Sequence, residues 1–330
     1  MTYKIAIDCM GFENNPKEAI KAAIAYAKKF RDLTFILVGD EKIIKPMIAN
    51  YSQFHCHPTT EIIHMDDTPL SARRKPKSSM QEAINLVANN HADAVVSAGC
   101  SGVYVALTHI LLGKIDTRIK PGFMSWLPTK ANHGFYFLDV GANKEYSGEQ
   151  LYYLGLMANW FVKKTTIKTH PRIGLLNIGT EKFKGFGYHQ EANQLFENDR
   201  TLNYLGFLEP RNLIEGVCDI LVADGYSGNL VLKSLEGALR SVAKLLKTGF
   251  KRNPFAAIFS WNIIKKISKT FNYKNNAGAM ILGLDKLAVK THGSADFQQF
   301  YSTIRMAHDA LKTQFLTTLK SNLKQLLTKV

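Results

Sequence analysis

The chain has 330 residues, 46% of them hydrophobic, and 42 Lys and Arg against 27 Asp and Glu give a formal net charge of +15. That length and apolar content suffice for one large domain or two. Four cysteines, Cys9, Cys56, Cys100 and Cys218, have no CxxC spacing and no histidines placed to join them, which argues against a zinc site or a disulfide framework; the basic excess comes without a zinc-finger, basic-zipper or RNP pattern, so nucleic acid is not an expected partner.

The first residues, MTYKIAIDCMG, lack the basic and apolar run of a signal peptide, so a cytoplasmic enzyme is expected. A strand over residues 5–7 leads to Asp8 and Gly11, and a helix with Pro16 in its first turn turns Ala19, Ala22, Ala23 and Ala27 toward a partner surface. Residues 33–38 begin a second βα unit and residues 61–64 form a third strand, followed by a charged loop over 65–77. Ser78 or Ser79 caps the next helix, with Glu82 three residues after Ser79 as a capping box requires; this is preferred to a catalytic role for the serines.

The run DAVVSAGCSGVYVA, residues 93–106, organises the chain. Ala94, Val95 and Val96 suit a strand buried on both faces, and from Gly102 the sequence reads as helix. Between them, Ser97, Gly99, Cys100, Ser101 and Gly102 let the backbone approach a ligand closely, and the free amides of the helix's first turn favour an anion. Two readings stay open, an oxyanion cradle and a tight turn without a ligand.

Residues 114–130 carry Pro121 and Pro128, include a short strand and join two halves of the domain. Beyond them alternation resumes, with strands at 135–140, 173–177, 204–207 and 220–223 and helices at 151–161 and 189–196. FYFLDVGAN (135–143), RIGLLNIGTE (172–181) and DILVADGYSGNLVLK (219–233) repeat the grammar of an apolar strand ending in a small polar loop; in the last, Asp224, Gly225, Ser227 and Gly228 form the loop and Asn229 opens the helix. In a parallel sheet such loops lie along one edge, where ligands bind. The expected fold is α/β, a mainly parallel sheet with helices on both faces, one domain of two lobes joined near 114–130, with a basic amphipathic helical hairpin protruding over about 229–273.

No acidic residue occurs from 237 to 284. Within residues 249–271, Phe255, Phe259, Trp261 and Ile264 alternate with lysines including Lys265 and Lys266, and Pro254 breaks the run. The uncharged part is too short to span a bilayer but suits an anionic membrane interface; a helical pair packed in a dimer interface is the other reading. A strand over 287–291 then delivers His292 beside Gly293 and Ser294, which makes a histidine that is usually structural a catalytic candidate.

IAIDCMG (5–11), LVGD (37–40), SSMQEAINLV (78–87), ADAVVSAGCSG (92–102), FLDVGAN (137–143), LLNIGTE (175–181), DGYSGNLVLKSLEG (224–237) and KTHGSAD (290–296) together resemble the PlsX family, the phosphate acyltransferases of bacterial phospholipid synthesis, over essentially the whole chain. The resemblance implies an isocitrate-dehydrogenase and phosphotransacetylase architecture, and transfer of a long-chain acyl group from acyl carrier protein to inorganic phosphate. It also implies a homodimer held peripherally at the membrane without a cofactor or metal, supplying acyl phosphate to a glycerol-3-phosphate acyltransferase.

Its chemistry assigns phosphate to the loop of Ser97, Gly99, Cys100, Ser101 and Gly102 and to Lys184, which continues the family's IGTE-x-x-KG pattern with Gly179 and Glu181; a solvated surface lysine is the alternative for Lys184. Asn229, Asn143 or backbone amides would receive the thioester oxyanion, and His292 would protonate the leaving thiolate or orient phosphate. Asp8, Gly11, Ser79, Asp224, Gly225, Ser227 and Gly228 complete the substrate-binding candidates. The chain departs from the family where Cys100 and Ser101 replace Asn-Thr, which removes an amide donor and opens an acyl-cysteine route; direct attack by phosphate is preferred. A coenzyme A enzyme, an NAD-dependent dehydrogenase, weakened by the lack of GxGxxG, and a non-catalytic membrane scaffold are the competing functions.

Overall fold

The computed structural model describes residues 2–131, 133–252, 260, 262, 265–266, 270 and 276–328. Phe255, Phe259, Trp261 and Ile264 lie outside the described residues, while Lys265 and Lys266 are helical and exposed. The chain divides into two compact units, one of Met1–Ser125, Leu156–Thr169 and Lys274–Val330, the other of Trp126–Gly155 and His170–Tyr273.

The chain begins with β1 (Tyr3–Asp8), α1 (Lys17–Lys29), β2 (Leu33–Gly39), α2 (Glu41–Ile48), β3 (Phe54–Pro58), α3 (Pro69–Ala72) and α4 (Ser79–Ala88). Next come β4 (Ala94–Ser97), α5 (Ser101–Leu112), β5 (Gly122–Pro128), β6 (Gly134–Leu138), α6 (Gly148–Thr165) and β7 (Arg172–Leu176). They are followed by α7 (Gly187–Asn198), β8 (Asn203–Leu208), β9 (Ile220–Val222) and α8 (Gly225–Arg252). The described chain closes with β10 (Ala279–Leu282), β11 (Leu287–Lys290), α9 (Phe297–Lys312) and α10 (Phe315–Leu327).

In the first unit the strand order is β3-β2-β1-β4-β11-β10-β5. The first five run parallel, and β10 is antiparallel to both its neighbours. The second unit orders β6-β9-β7-β8, all parallel. Register decides which side chains can cooperate: Ile7 and Val289 both lie beside Val96, and Lys290 lies beside Ser97, so the carboxyl ends of β1, β4 and β11 finish level with one another.

The helices form where apolar stripes meet the sheet. α1 buries Ala19, Ile20, Ala22, Ala23, Tyr26 and Ala27 at helical spacing, with Glu18 in its first turn and Lys28 and Lys29 in its last, charges that complement the helix dipole. Small alanines let it lie close against α9, whose start is fixed by a capping box of Asp296 and Gln299. At that contact the fully buried His308 bridges the Tyr26 hydroxyl (Nδ1, 3.1 Å) and the Asp32 carboxylate (Nε2, 3.2 Å).

Three expectations are corrected. The third strand is β3, not residues 61–64; Glu61 makes only an isolated bridge to Ser78. β3 is an edge strand, one flank of which needs no apolar cover, so its polar His-Cys-His run hid it. Ser78 is the N-cap residue of α4 and makes no side-chain cap bond, while Ser79 and Glu82 turn instead to Asp8 and His57. The segment after Asp224 is not a loop: Gly225, Tyr226, Ser227 and Gly228 are the first turn of α8. Two glycines in that turn suggested a loop, but both are there for close packing against the chain after β6.

Replacing His308 with Ala would strand the Tyr26 hydroxyl and leave a cavity, so H308A is expected to lower unfolding free energy by about 3 kcal/mol in urea titrations; an unchanged midpoint would show that the bridge contributes nothing.

Candidate active site

In the first unit, candidates gather at the ends of β1, β4 and β11. Asp8 closes β1 with no exposed surface. Its Oδ1 accepts from Ser79 Oγ at 2.7 Å and from the Met10 amide at 3.2 Å, and its Oδ2 accepts from Ser97 Oγ at 2.7 Å. Ser97 Oγ in turn accepts from the Gly99 amide at 3.1 Å. The carboxylate therefore ties the end of β1 to the start of α4 and to the loop after β4. Burial pushes its pKa up to about 6, against the pull of Ser79, Ser97, the Met10 amide and Lys290.

A Cβ on Gly99 would displace only the flexible end of Met80, at Cε, whereas Gly11, at φ +74°, leaves no Cβ to meet the Ile63 carbonyl. Cys100 stands at the N-cap position of α5 with its Sγ 3.4 Å from the Asp67 carbonyl oxygen, and Ser101 and Gly102 are exposed at the first turn. His292, also exposed, receives the Ser294 amide at Nδ1 (3.2 Å) with the Ser294 hydroxyl 2.8 Å away, which leaves Nε2 as the nitrogen able to reach a ligand.

In the second unit the ends of β6, β7 and β9 carry a similar construction. Asp139, fully buried, accepts from the amides of Gly141, Ala142 and Asn143 at 2.9–3.0 Å and from the Tyr146 hydroxyl at 2.9 Å. Asn143 Nδ2 donates to Tyr146 at 2.8 Å. Asp224 accepts from the Ser227 amide at 2.9 Å, with Tyr188 and His189 3.5 and 3.6 Å from its other oxygen. Burial would raise Asp224, but His189 and the Ser227 amide and hydroxyl outweigh it and hold the carboxyl below its ordinary range.

A Cβ at Gly225 would meet the Asn143 carbonyl, and one at Gly228 the Asp139 carbonyl, so both glycines let the first turn of α8 lie against the loop after β6. Asn229 packs on Gly141, where a Cβ would come within 3.2 Å of the Asn229 side chain. On the loop after β7, Lys184 and Glu181 form a part-exposed ion pair at 2.9 Å, folded over Gly179. Its hydrogen bond to Lys184 holds Glu181 below its usual range.

The candidates thus fall into two groups: Asp8, Gly11, Ser79, Ser97, Gly99, Cys100, Ser101, Gly102 and His292 in the first unit, and Asn143, Gly179, Glu181, Lys184, Asp224, Gly225, Ser227, Gly228 and Asn229 in the second. Sequence reasoning missed Lys290, Asp139, Tyr146 and His189. The signal for Lys290 was a lysine closing the otherwise apolar strand LAVK; for Asp139 it was an aspartate at a strand end, as at Asp8 and Asp224. No group of three or more His, Cys, Asp or Glu side chains able to hold a metal ion occurs among the described residues.

A phosphotransacetylase from Streptococcus pyogenes superposes on the chain with a TM-score of 0.62 at 15% identity, covering 94% of each chain, and a branched-chain phosphotransacylase from Enterococcus faecalis with 0.56 at 16%, covering 94% of this chain and 100% of the other. The fold is therefore the α/β architecture of the phosphotransacetylases. Residues 3–318 match the family model described as a fatty acid synthesis protein. A protein of Mycoplasmoides gallisepticum named phosphate acyltransferase is 60% identical over 94% of each chain, and one of Mycoplasma pneumoniae with the same name is 58% identical over 98% of each. The chain belongs to this family, the PlsX phosphate acyltransferases, and is a transferase.

Two outcomes are expected from the site's construction. Because Asp8 is raised on folding, its contribution to stability is complete below pH 3.8 and is lost as pH rises through about 6, a change on the order of 3 kcal/mol. Urea titrations should show that fall in the wild type and its absence in Asp8→Asn; equal slopes in both would contradict it. Gly228→Ala should destabilise by about 2 kcal/mol or more, since the Asp139 backbone cannot retreat; an unchanged Tm would contradict the close packing.

Proposed function

We propose that the chain transfers a long-chain acyl group from the thioester of acyl carrier protein to inorganic phosphate, releasing acyl phosphate and the carrier protein's free thiol. A phosphate oxygen attacks the thioester carbonyl, a C–O bond forms, the C–S bond breaks, and the thiolate takes up the proton that phosphate gives up. The observation that carries this reading is an anion-favouring loop, Ser97 to Gly102, held by a buried carboxylate, in a chain whose relatives across nearly its full length are named phosphate acyltransferase.

The residues take these roles in the proposal. The amides of the loop after β4 receive phosphate. Lys184 adds positive charge for phosphate, and Asn143 and Asn229 supply donors to the thioester oxyanion, which Asn229 can do because its side-chain amide makes no hydrogen bond among the described residues. His292 serves the thiolate through Nε2. A thiolate leaves readily near neutral pH, so His292 is expected to matter less than the oxyanion donors.

The same reading covers location and partners. No helix among the described residues is long and apolar enough to cross a membrane. A cytoplasmic chain that reaches an anionic membrane surface through residues 249–271 fits the basic, aromatic composition there. α8 exposes Val242, Leu245 and Leu246, apolar surface that a second copy of the chain would cover in a homodimer. The exposed Lys233, Arg240, Lys244 and Lys247 suit an acidic carrier protein. The acyl phosphate would pass to a glycerol-3-phosphate acyltransferase.

Purified chain supplied with acyl carrier protein thioester should release thiol only when phosphate is present, with acyl coenzyme A a poor substitute; release without phosphate, or preference for coenzyme A, would overturn the reading. Trp261→Glu with Ile264→Glu is expected to abolish binding to anionic vesicles while turnover in solution persists, and raised salt should weaken vesicle binding by screening the lysines. Vesicle binding indifferent to both changes would contradict the membrane role.

A further inference from the structure

Lys290 opens the KTHGSAD run at the loop cluster, and the proposed reaction has not used it. It closes β11 beside Ser97, is only 6% exposed, and has no carboxylate within ion-pairing distance among the described residues. Its ammonium donates once, to the carbonyl of Thr291 at 2.7 Å, so two of its three protons meet no acceptor there. Its backbone lies beside Ser97, three residues before Cys100 at the N-cap of α5, and the charges of Asp8 and Glu13 favour its protonated form. Next to it, the hydroxyl of Thr291, 3% exposed, is buried without a hydrogen-bond partner.

Burying an ammonium with its hydrogen bonds unmade is costly, and burial pulls Lys290 down to about 8. An apolar side chain of similar length would fill this place without that cost. The spare protons, the unpartnered hydroxyl and the unsatisfied first-turn amides of the 12-residue α5 are all donors, and all need the same missing thing, an acceptor carrying negative charge. Asp8 does not fill the need, because hydroxyls and an amide already occupy both its oxygens.

We propose that Lys290 supplies the countercharge for a tetrahedral oxyanion, seated between its ammonium, the Thr291 hydroxyl and the first amides of α5. This rests on the phosphate-dependent acyl transfer proposed above and names the cation that holds phosphate in the first unit. Cys100 then serves as the N-cap through which those amides are presented, in place of a side-chain amide donor, with Lys290 as the principal source of charge. Asp8 positions the loop through Ser97 and is not itself a ligand, since a carboxylate beside phosphate would repel it.

The test uses the full chain, with inorganic phosphate as the probe and Lys290→Met and Thr291→Val as variants. Phosphate should raise the Tm of the wild type and leave that of Lys290→Met unmoved. Lys290→Met, freed of a buried charge, should be at least as stable as the wild type in phosphate-free buffer near pH 7, which separates loss of binding from loss of folding. Its KM for phosphate should rise about 30-fold or more, with the KM for the carrier-protein thioester within about twofold; Thr291→Val should raise the phosphate KM by about three- to tenfold. A folded Lys290→Met that phosphate still stabilises to the wild-type extent, with its phosphate KM unchanged, overturns the proposal. If the wild type consumes no thioester yet phosphate stabilises it in a Lys290-dependent way, the oxyanion seat stands and the acyl-transfer reading falls.

Discussion

The structure depends on one costly arrangement, a carboxylate with no access to water at the end of a central strand. Asp8 is tolerable there because hydroxyls of Ser79 and Ser97 and the Met10 amide satisfy both its oxygens. In return, three chain segments far apart in sequence are fixed to within hydrogen-bond distance of one atom pair. Packing alone would hold β1 beside β4; it would not aim the Gly99 amide or set the path of the loop into α5. The hydrogen bonds do that, and they do it next to a buried lysine whose charge is only partly answered among the described residues.

The same device recurs in the second unit. Asp139 follows β6 and accepts the amides of Gly141, Ala142 and Asn143; Asp224 follows β9 and accepts that of Ser227. A carboxylate that binds successive amides curls the chain into a compact turn and directs the following helix. Glycines then set how closely those turns approach: Gly225 and Gly228 bring α8 against the loop after β6, where Asn143 and Asn229 lie. The sequence grammar of an apolar run followed by Asp and a small residue, visible as IAID, FLDVG and LVADG, is thus the written form of a physical rule about ending a buried strand.

Much of this was legible beforehand because period and punctuation are local. Continuous apolar runs marked β1, β2, β4, β7 and β9. What was not legible depended on partners elsewhere in the chain. Ser79 looked like a cap because Glu82 stood at the right spacing, yet the pull of Asp8, 71 positions away, decided its hydrogen bond. β3 was missed because an edge strand needs little apolar cover, and the first turn of α8 because two glycines signal a loop until the carbonyls opposite them are known. Lys290 looked like a polar residue ending a strand; its burial comes from β4 and β10 on either side of β11, which no single segment encodes.

In the proposed site, strand-end carboxylates hold turns whose amides, with a buried cation, receive an inorganic oxyanion. A crystal structure of the full chain grown with arsenate, a tetrahedral phosphate substitute with strong anomalous scattering, tests it most directly. The expected result is one arsenic peak within hydrogen-bonding reach of the first amides of α5 and of Lys290, with Asp8 still bonded to Ser79 and Ser97. Full occupancy of arsenate elsewhere, with the loop after β4 empty of it, would contradict the account.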